Sequence, residues 1–388
     1  MIKKYLTYAV ALIVAIFIIT PPWNINVTCE VNNLLWLWSV ALAGFFAFYY
    51  LNTTAPLPIK LLVLYAFVGS FFSVAPYWSF MMTIPTVISA YFYLACREIE
   101  DFEIVHKAIQ STFFLICAFM IVQFAVGRDT LYNFNRPQPM VIGTIGNPMI
   151  SATLITCLAP FLLMYKKLNI IPLCLIATIT HSAGMIAALG CGIAFYGIMK
   201  CKGMWMKILI TAIIIAVVIL SGAPQYAAKR FSQGRGPIWK KTIELTMKRP
   251  VKGYGISSYQ LVFPAMSKEL VKPLGIHKPD WEIENLKGGQ VPALQTHNCW
   301  LQFWFELGSI GMAFILFYAA LLVSLFCLCP RNDKTITAMT GLIILGVIML
   351  FHFPTRLFQS VPVFICYLAF YQNFMEKEVY GNLHVRSH

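Results

Sequence analysis

The feature that most constrains this chain is a succession of long apolar runs, separated by charges, prolines and short polar clusters. The runs fall near 5–20, 34–51, 60–75, 79–96, 108–126, 147–165, 169–180, 182–199, 206–221, 300–328, 335–353 and 356–373. A helix that spans a bilayer needs about 20 predominantly apolar residues, and backbone groups in hydrocarbon have to bond within their own segment. The runs lack the two-residue alternation of a membrane barrel strand. The expected fold is therefore all-α, a polytopic membrane protein with about twelve transmembrane helices. Composition agrees: 59% of the 388 residues are hydrophobic and 11% are charged, against roughly 25% charged in a soluble domain. A water-soluble globule of this make-up would have too few charges to cover its surface. The first run follows Lys3 and Lys4 as in a signal peptide, but ends in Ile19-Thr20-Pro21-Pro22-Trp23 with no small-residue cleavage pattern, and reads as an uncleaved helix.

The distribution of the +14 net charge sets the topology. With the N-terminus in the cytoplasm, fourteen basic residues fall in inner segments and three (Arg128, Arg136 and Arg356) in short outer loops, which is the bias that orients membrane proteins. Both termini are then cytoplasmic. Three parts are expected: a transmembrane bundle of about nine spans over 1–221, a large basic outer loop with short helices over 222–297, and three spans plus a cytoplasmic tail over 298–388. The outer loop holds twelve basic residues against five acidic ones, Glu244, Glu269, Asp280, Glu282 and Glu284. Long loops are exempt from the orienting rule, so this surface is either merely solvated or gathers an anionic substrate at the outer leaflet.

Three outer segments carry candidate chemistry. In Lys229-Arg230-Phe231-Ser232-Gln233-Gly234-Arg235-Gly236-Pro237-Ile238-Trp239, two arginines precede a short amphipathic helix with Ile238, Thr242 and Leu245 on one side. Arginine forks and a helix N-terminus suit phosphate oxygens; the alternative is an interfacial helix with snorkelling basic residues. Next comes Arg249-Pro250-Val251-Lys252-Gly253-Tyr254-Gly255, a proline followed by a G-x-G turn. The second segment is His297-Asn298 at the outer mouth of a long apolar helix, with Glu306 nine residues further in. A carboxylate at that depth normally faces a bundle interior or a cavity, where it would bind a sugar hydroxyl, pair with an arginine or pin two helices together. The third segment, Arg136-Pro137-Gln138-Pro139 to Gly143-Thr144-Ile145-Gly146-Asn147-Pro148, suggests a broken entrance to a span and supplies Arg136 as a further anion ligand. Arg356 is a fourth cation, of the kind that commonly snorkels to lipid phosphates.

Taken in this order, the Gly143–Pro148 segment, Arg235-x-x-x-Trp239, Pro250-x-x-Gly253-x-Gly255, and His297-Asn298 followed by Gly308-x-x-Gly311 resemble the O-antigen ligase/polymerase superfamily of bacterial membrane glycosyltransferases. The resemblance covers roughly 130–320. It implies a GT-C-like fold in the bacterial inner membrane and a metal-independent, inverting transfer of a glycan from undecaprenyl diphosphate at the periplasmic face, with no cofactor. The acceptor would be lipid A-core for a ligase, slightly favoured by the H-N-x9-G-x-x-G spacing, or another lipid-linked glycan for a polymerase. Carried over residue by residue, His297 would orient or deprotonate the acceptor hydroxyl, and Arg235, Arg230 and Arg136 would hold the diphosphate. Asn298, Glu306, Trp239, Gly253 and Gly255 would support them. The chain has no large C-terminal domain of the protein-glycosylating branch, which disfavours a protein acceptor.

Other classes remain. A transporter or flippase would show repeat symmetry between halves and broken helices near mid-bilayer, and the halves here do not match. A scaffold would be indifferent to loss of Arg235 or His297. Walker and dinucleotide motifs, metal-site Cys/His spacing and a nucleic-acid signature are absent from the sequence.

Overall fold

The structure, a computed structural model, describes residues 2–19, 56–99, 101–126, 148–180, 182–201, 203, 235–266, 296–352, 354–355 and 360–386. These form α1 (Ile2–Ile19), α2 (Leu57–Phe71), α3 (Pro76–Arg97), α4 (Phe102–Val126), α5 (Pro148–Tyr165), a 3-10 turn (Lys167–Asn169), α6 (Ile170–Ile179), α7 (Ala183–Lys200), α8 (Gly236–Thr246), α9 (Tyr259–Met266), α10 (Cys299–Leu328), α11 (Asp333–Phe351) and α12 (Ser360–Arg386). No strand occurs among the described residues, so the all-α expectation holds. Apolar runs fall on every helix except α8 and α9, with most ends shifted by a few residues; α12 continues well past its run at 356–373, to Arg386. The runs at 34–51 and 206–221 lie outside the described residues, as does much of the 222–297 loop. Among the described residues four helices, α4, α7, α10 and α11, are long and apolar enough to cross a membrane.

The chain groups into two units, one of Met1–Ala55, Ile88–Lys202 and Ala320–His388, the other of Pro56–Val87 and Gly203–Ala319. In the first unit, helices approach closely through small residues. A Cβ on Gly192 of α7 would stand 2.5 Å from Ile344 Cγ1, and one on Gly341 of α11 would stand 2.7 Å from Pro160 Cβ. Lipid tails provide no hydrophobic drive between helices, so close van der Waals packing and interhelical hydrogen bonds supply it; Tyr367 Oη, for instance, donates to Ala338 O at 2.7 Å. Charges collect where α11 begins. Asn332 closes a capping box with Thr335, and Asp333 pairs with Lys167 and Lys200 and accepts Tyr196 Oη at 2.7 Å.

The second unit contains the candidate site. Pro237 in the first turn of α8 sets φ for the helix start without removing a bond that the helix needs. The Ile238, Thr242, Leu245 stripe is its inward side: Thr242 and Leu245 are buried, while Ile238 packs against a cluster of Leu245, Tyr254, Tyr259, Val262, Phe263 and Phe305. Tyr254 stacks on Phe305 at 4.5 Å between centroids, and Tyr259 meets the same ring edge-on at 5.1 Å. Each fully buried aromatic contributes roughly 1.5–3 kcal/mol by burial. The two hydroxyls are satisfied inside the cluster: Tyr254 Oη donates to Leu245 O at 3.0 Å, and Tyr259 Oη shares a hydrogen bond with Thr242 Oγ1 at 3.1 Å. These contacts anchor α8 and α9 to the first third of α10.

Candidate active site

The proline-glycine loop is seated in a break in α10. At Gly308 the backbone leaves the helix with φ 64° and ψ −169°, a region that is essentially reserved for glycine. A break strands the carbonyls before it and the amides after it. The loop meets them in register: Tyr254 N donates to Phe305 O at 3.0 Å, Gly255 N to Glu306 O at 2.9 Å, Ser309 N to Pro250 O at 2.8 Å and Ile310 N to Val251 O at 3.4 Å. Tyr65 Oη, from α2, covers Leu307 O at 3.0 Å. Gly253, at φ 70°, passes Gly308 backbone to backbone; a Cβ on Gly253 would stand 2.5 Å from both Glu306 O and Gly308 N. Pro250-x-x-Gly253-x-Gly255 and Gly308 of α10 are thus two halves of one joint.

A hydroxyl pair that the sequence did not single out holds the far side of the loop. Ser73 Oγ donates to Tyr254 O at 2.9 Å, and Ser79 Oγ donates to Ile256 O at 3.0 Å. A Cβ on Gly255 would collide with Ser73 Oγ. In the sequence Ser73 falls near the end of the apolar run at 60–75 and Ser79 opens the run at 79–96, so neither stands out as a site residue.

At the mouth of α10, Asn298 is the helix cap: its Oδ1 accepts Leu301 N at 3.0 Å. Thr296 Oγ1 accepts Asn298 N at 3.0 Å. Between them His297 has φ 55°, a left-handed conformation that is uncommon outside glycine and costs on the order of 1–3 kcal/mol. Its neighbours hold it there. Thr296 O accepts Trp239 Nε1 from α8 at 2.8 Å, and Thr296 N donates to Gln302 Oε1 at 3.4 Å. Gln302 Nε2 donates to Glu306 Oε1 at 3.0 Å, and Glu306 Oε2 accepts Ser257 N at 2.8 Å. These bonds give Glu306 a role that differs from the helix-to-helix pin expected from sequence: its carboxylate joins the loop to its own helix.

Arg235 stands at the N-cap position of α8 without making a side-chain cap bond, where the helix end adds its own partial positive charge. The His297 imidazole is largely buried. Burial, and then the Arg235 charge, hold it down to about 4, so it is neutral at pH 7 with a lone pair able to accept a proton. The arrangement offers a cation suited to a phosphate oxygen and a neutral base within its electrostatic reach. Arg235, Trp239, Gly253, Gly255, His297, Asn298 and Glu306 all belong to the second unit. Arg230, Arg136 and Arg356 lie outside the described residues, as do Gly143 to Asn147. Among the described residues no group of three or more His, Cys, Asp or Glu is placed to hold a metal ion.

A family model described as O-Antigen ligase matches residues 168–316. The matched stretch includes α8, the proline-glycine loop, the mouth of α10 and its break at Gly308. No curated protein matches the chain.

Proposed function

We propose, from the premise that this is a membrane protein of the O-antigen ligase-like superfamily, that it transfers a glycan from undecaprenyl diphosphate to an acceptor hydroxyl at the periplasmic face of the bacterial inner membrane. The observation that carries this reading is the Trp239–Thr296 bond, which ties the helix that begins at Arg235 to the residue before His297. Arg235 and the N-terminus of α8 hold the diphosphate, with Arg230 and Arg136 as further cations. The acceptor oxygen attacks the anomeric carbon from the side opposite the diphosphate. The bond from that carbon to the phosphate oxygen breaks, its electron pair leaves with the diphosphate, and the hydroxyl proton passes to His297. The sugar carbon is inverted. Fixed cations stabilise the charge developing on the leaving group, so the neutralisation needs no metal.

The depressed basicity of His297 fits this scheme. A bound diphosphate offsets the field of Arg235, one of the two causes of the depression, so the imidazole becomes a better base once the donor is in place. Lipid A-core is the acceptor we favour. The test is reconstitution with undecaprenyl-diphosphate glycan and either lipid A-core or a second lipid-linked glycan. Transfer should occur without Mg²⁺ or ATP and be lost in His297→Ala and Arg235→Ala. Transfer that survives both substitutions overturns the site, and chain lengthening in place of transfer to lipid A-core identifies a polymerase.

A further inference from the structure

We infer that Gln302 is a positioning residue that transmits the seating of the proline-glycine loop to the backbone of His297. The inference rests on the reading above, in which His297 acts on the acceptor. Gln302 and Glu306 are one helical turn apart on α10 and face the same way, and both are almost wholly buried, at 3% and 1% exposure. A buried carboxylate is costly unless its oxygens are hydrogen-bonded. Glu306 accepts Ser257 N of the seated loop on one oxygen and Gln302 Nε2 on the other. Gln302 then turns its carbonyl to the amide of Thr296, the residue directly before His297.

This position requires a side chain that donates to a carboxylate at one end and accepts from a backbone N–H at the other. Glutamine does both. A leucine there leaves Thr296 N and one carboxylate oxygen without the amide, and a glutamate sets two carboxylates against each other. The link matters because His297 is in a conformation it would not keep alone, with φ 55°. Thr296 is held at its carbonyl by Trp239 and at its amide by Gln302. The Thr296–Gln302 contact, at 3.4 Å, is the longest in the relay and so contributes orientation more than energy.

The experiment uses the full chain in nanodiscs with the lipid-linked donor and acceptor. It compares wild type, His297→Ala, Gln302→Leu, Gln302→Glu and the exchanged pair Gln302→Glu with Glu306→Gln. In Gln302→Leu, kcat should fall roughly tenfold to a hundredfold, the scale of a misplaced reacting group, with the donor KM unchanged. Gln302→Glu should recover relative to wild type as pH falls from 8 to 6, because two facing carboxylates raise each other's pKa until a shared proton restores a donor. The exchanged pair should regain most of the lost kcat, since donor and acceptor are merely swapped. Wild-type kcat in Gln302→Leu while His297→Ala is inactive overturns this inference alone; an active His297→Ala overturns the reading beneath it. Where Gln302→Leu does not fold, the exchanged pair decides: a folded protein that stays as slow as Gln302→Glu, with an unchanged pH profile, overturns the inference.

Discussion

Gly308→Ala should unseat the proline-glycine loop. Alanine at φ 64° and ψ −169° is in a region essentially confined to glycine, at a strain of about 1–3 kcal/mol. Its Cβ would also overlap the Val251 carbonyl oxygen and stand 2.6 Å from Gly253 N, and neither backbone atom can rotate away as a side chain would. Relief requires the loop to retreat, which breaks first the two bonds flanking the contact, Ser309 N to Pro250 O and Ile310 N to Val251 O. At about 0.5–1.5 kcal/mol for each bond, the combined loss is on the order of 4 kcal/mol, or roughly a thousandfold in the opening equilibrium. Hydrogen–deuterium exchange of the protein in nanodiscs reads this directly: the Tyr254, Gly255, Ser309 and Ile310 amides should exchange faster by about that factor. Gly69→Ala in α2 is the control, because a Cβ there meets nothing within 4 Å; exchange in the loop should stay at the wild-type rate. Wild-type protection of Tyr254 and Gly255 in Gly308→Ala would refute the claim that this glycine makes the joint.

Further outcomes follow from the same geometry. Since burial and Arg235 hold His297 at about 4, the acid limb of kcat/KM, which reports the free enzyme, should have its midpoint near that value. The acid limb of kcat should lie higher, because bound diphosphate offsets Arg235; coincident limbs would count against the coupling. Arg235→Gln should raise the His297 pKa, measurable by titration of the imidazole resonance. The linkage has a definite sign: the unfolded imidazole takes its proton near the ordinary 6.5 and the folded one near 4. The folded state is therefore undiminished above the unfolded value and loses stability as pH falls towards 4, by on the order of 3 kcal/mol, visible as a declining Tm. Tyr65→Phe removes the hydroxyl from Leu307 O in the helix break and should lower stability by about 1 kcal/mol, read in thermal unfolding. Gly255→Ala drives a Cβ into Ser73 Oγ and to 2.7 Å from Ser79 Oγ, at a φ of 107° that strains any L side chain, and should cost transfer activity; pairing it with Ser73→Ala should not restore it, because the Cβ that alanine keeps is also in the way.

The elements of the site differ in how far they are visible in one dimension. The α8 helix was legible because amphipathic spacing is local: Ile238, Thr242 and Leu245 recur at helical intervals, and Pro237 marks the start. The turn at Gly253 and Gly255 was legible for the same reason. The break at Gly308 was not, since it is embedded in the apolar run at 300–328, and an isolated glycine in a membrane helix is commonly a packing position. What breaks the helix is the loop, which arrives from some fifty residues upstream and supplies partners that the helix would otherwise have to find in itself.

The sequence by itself determined the all-helical, membrane-embedded class, because hydrocarbon tolerates no unpaired backbone and the apolar runs are long. It also singled out Arg235 and His297 as candidates for a phosphate ligand and a base, because those candidacies rest on side-chain chemistry that needs no coordinates. The tertiary structure alone decided what holds them. Glu306 and Gln302 relay the loop to Thr296, Trp239 ties α8 to the same residue, and Ser73 and Ser79 support the loop from behind. Each of these is a hydrogen bond whose donor and acceptor meet only after folding, and no periodicity along a chain encodes which distant partner a buried polar group will find.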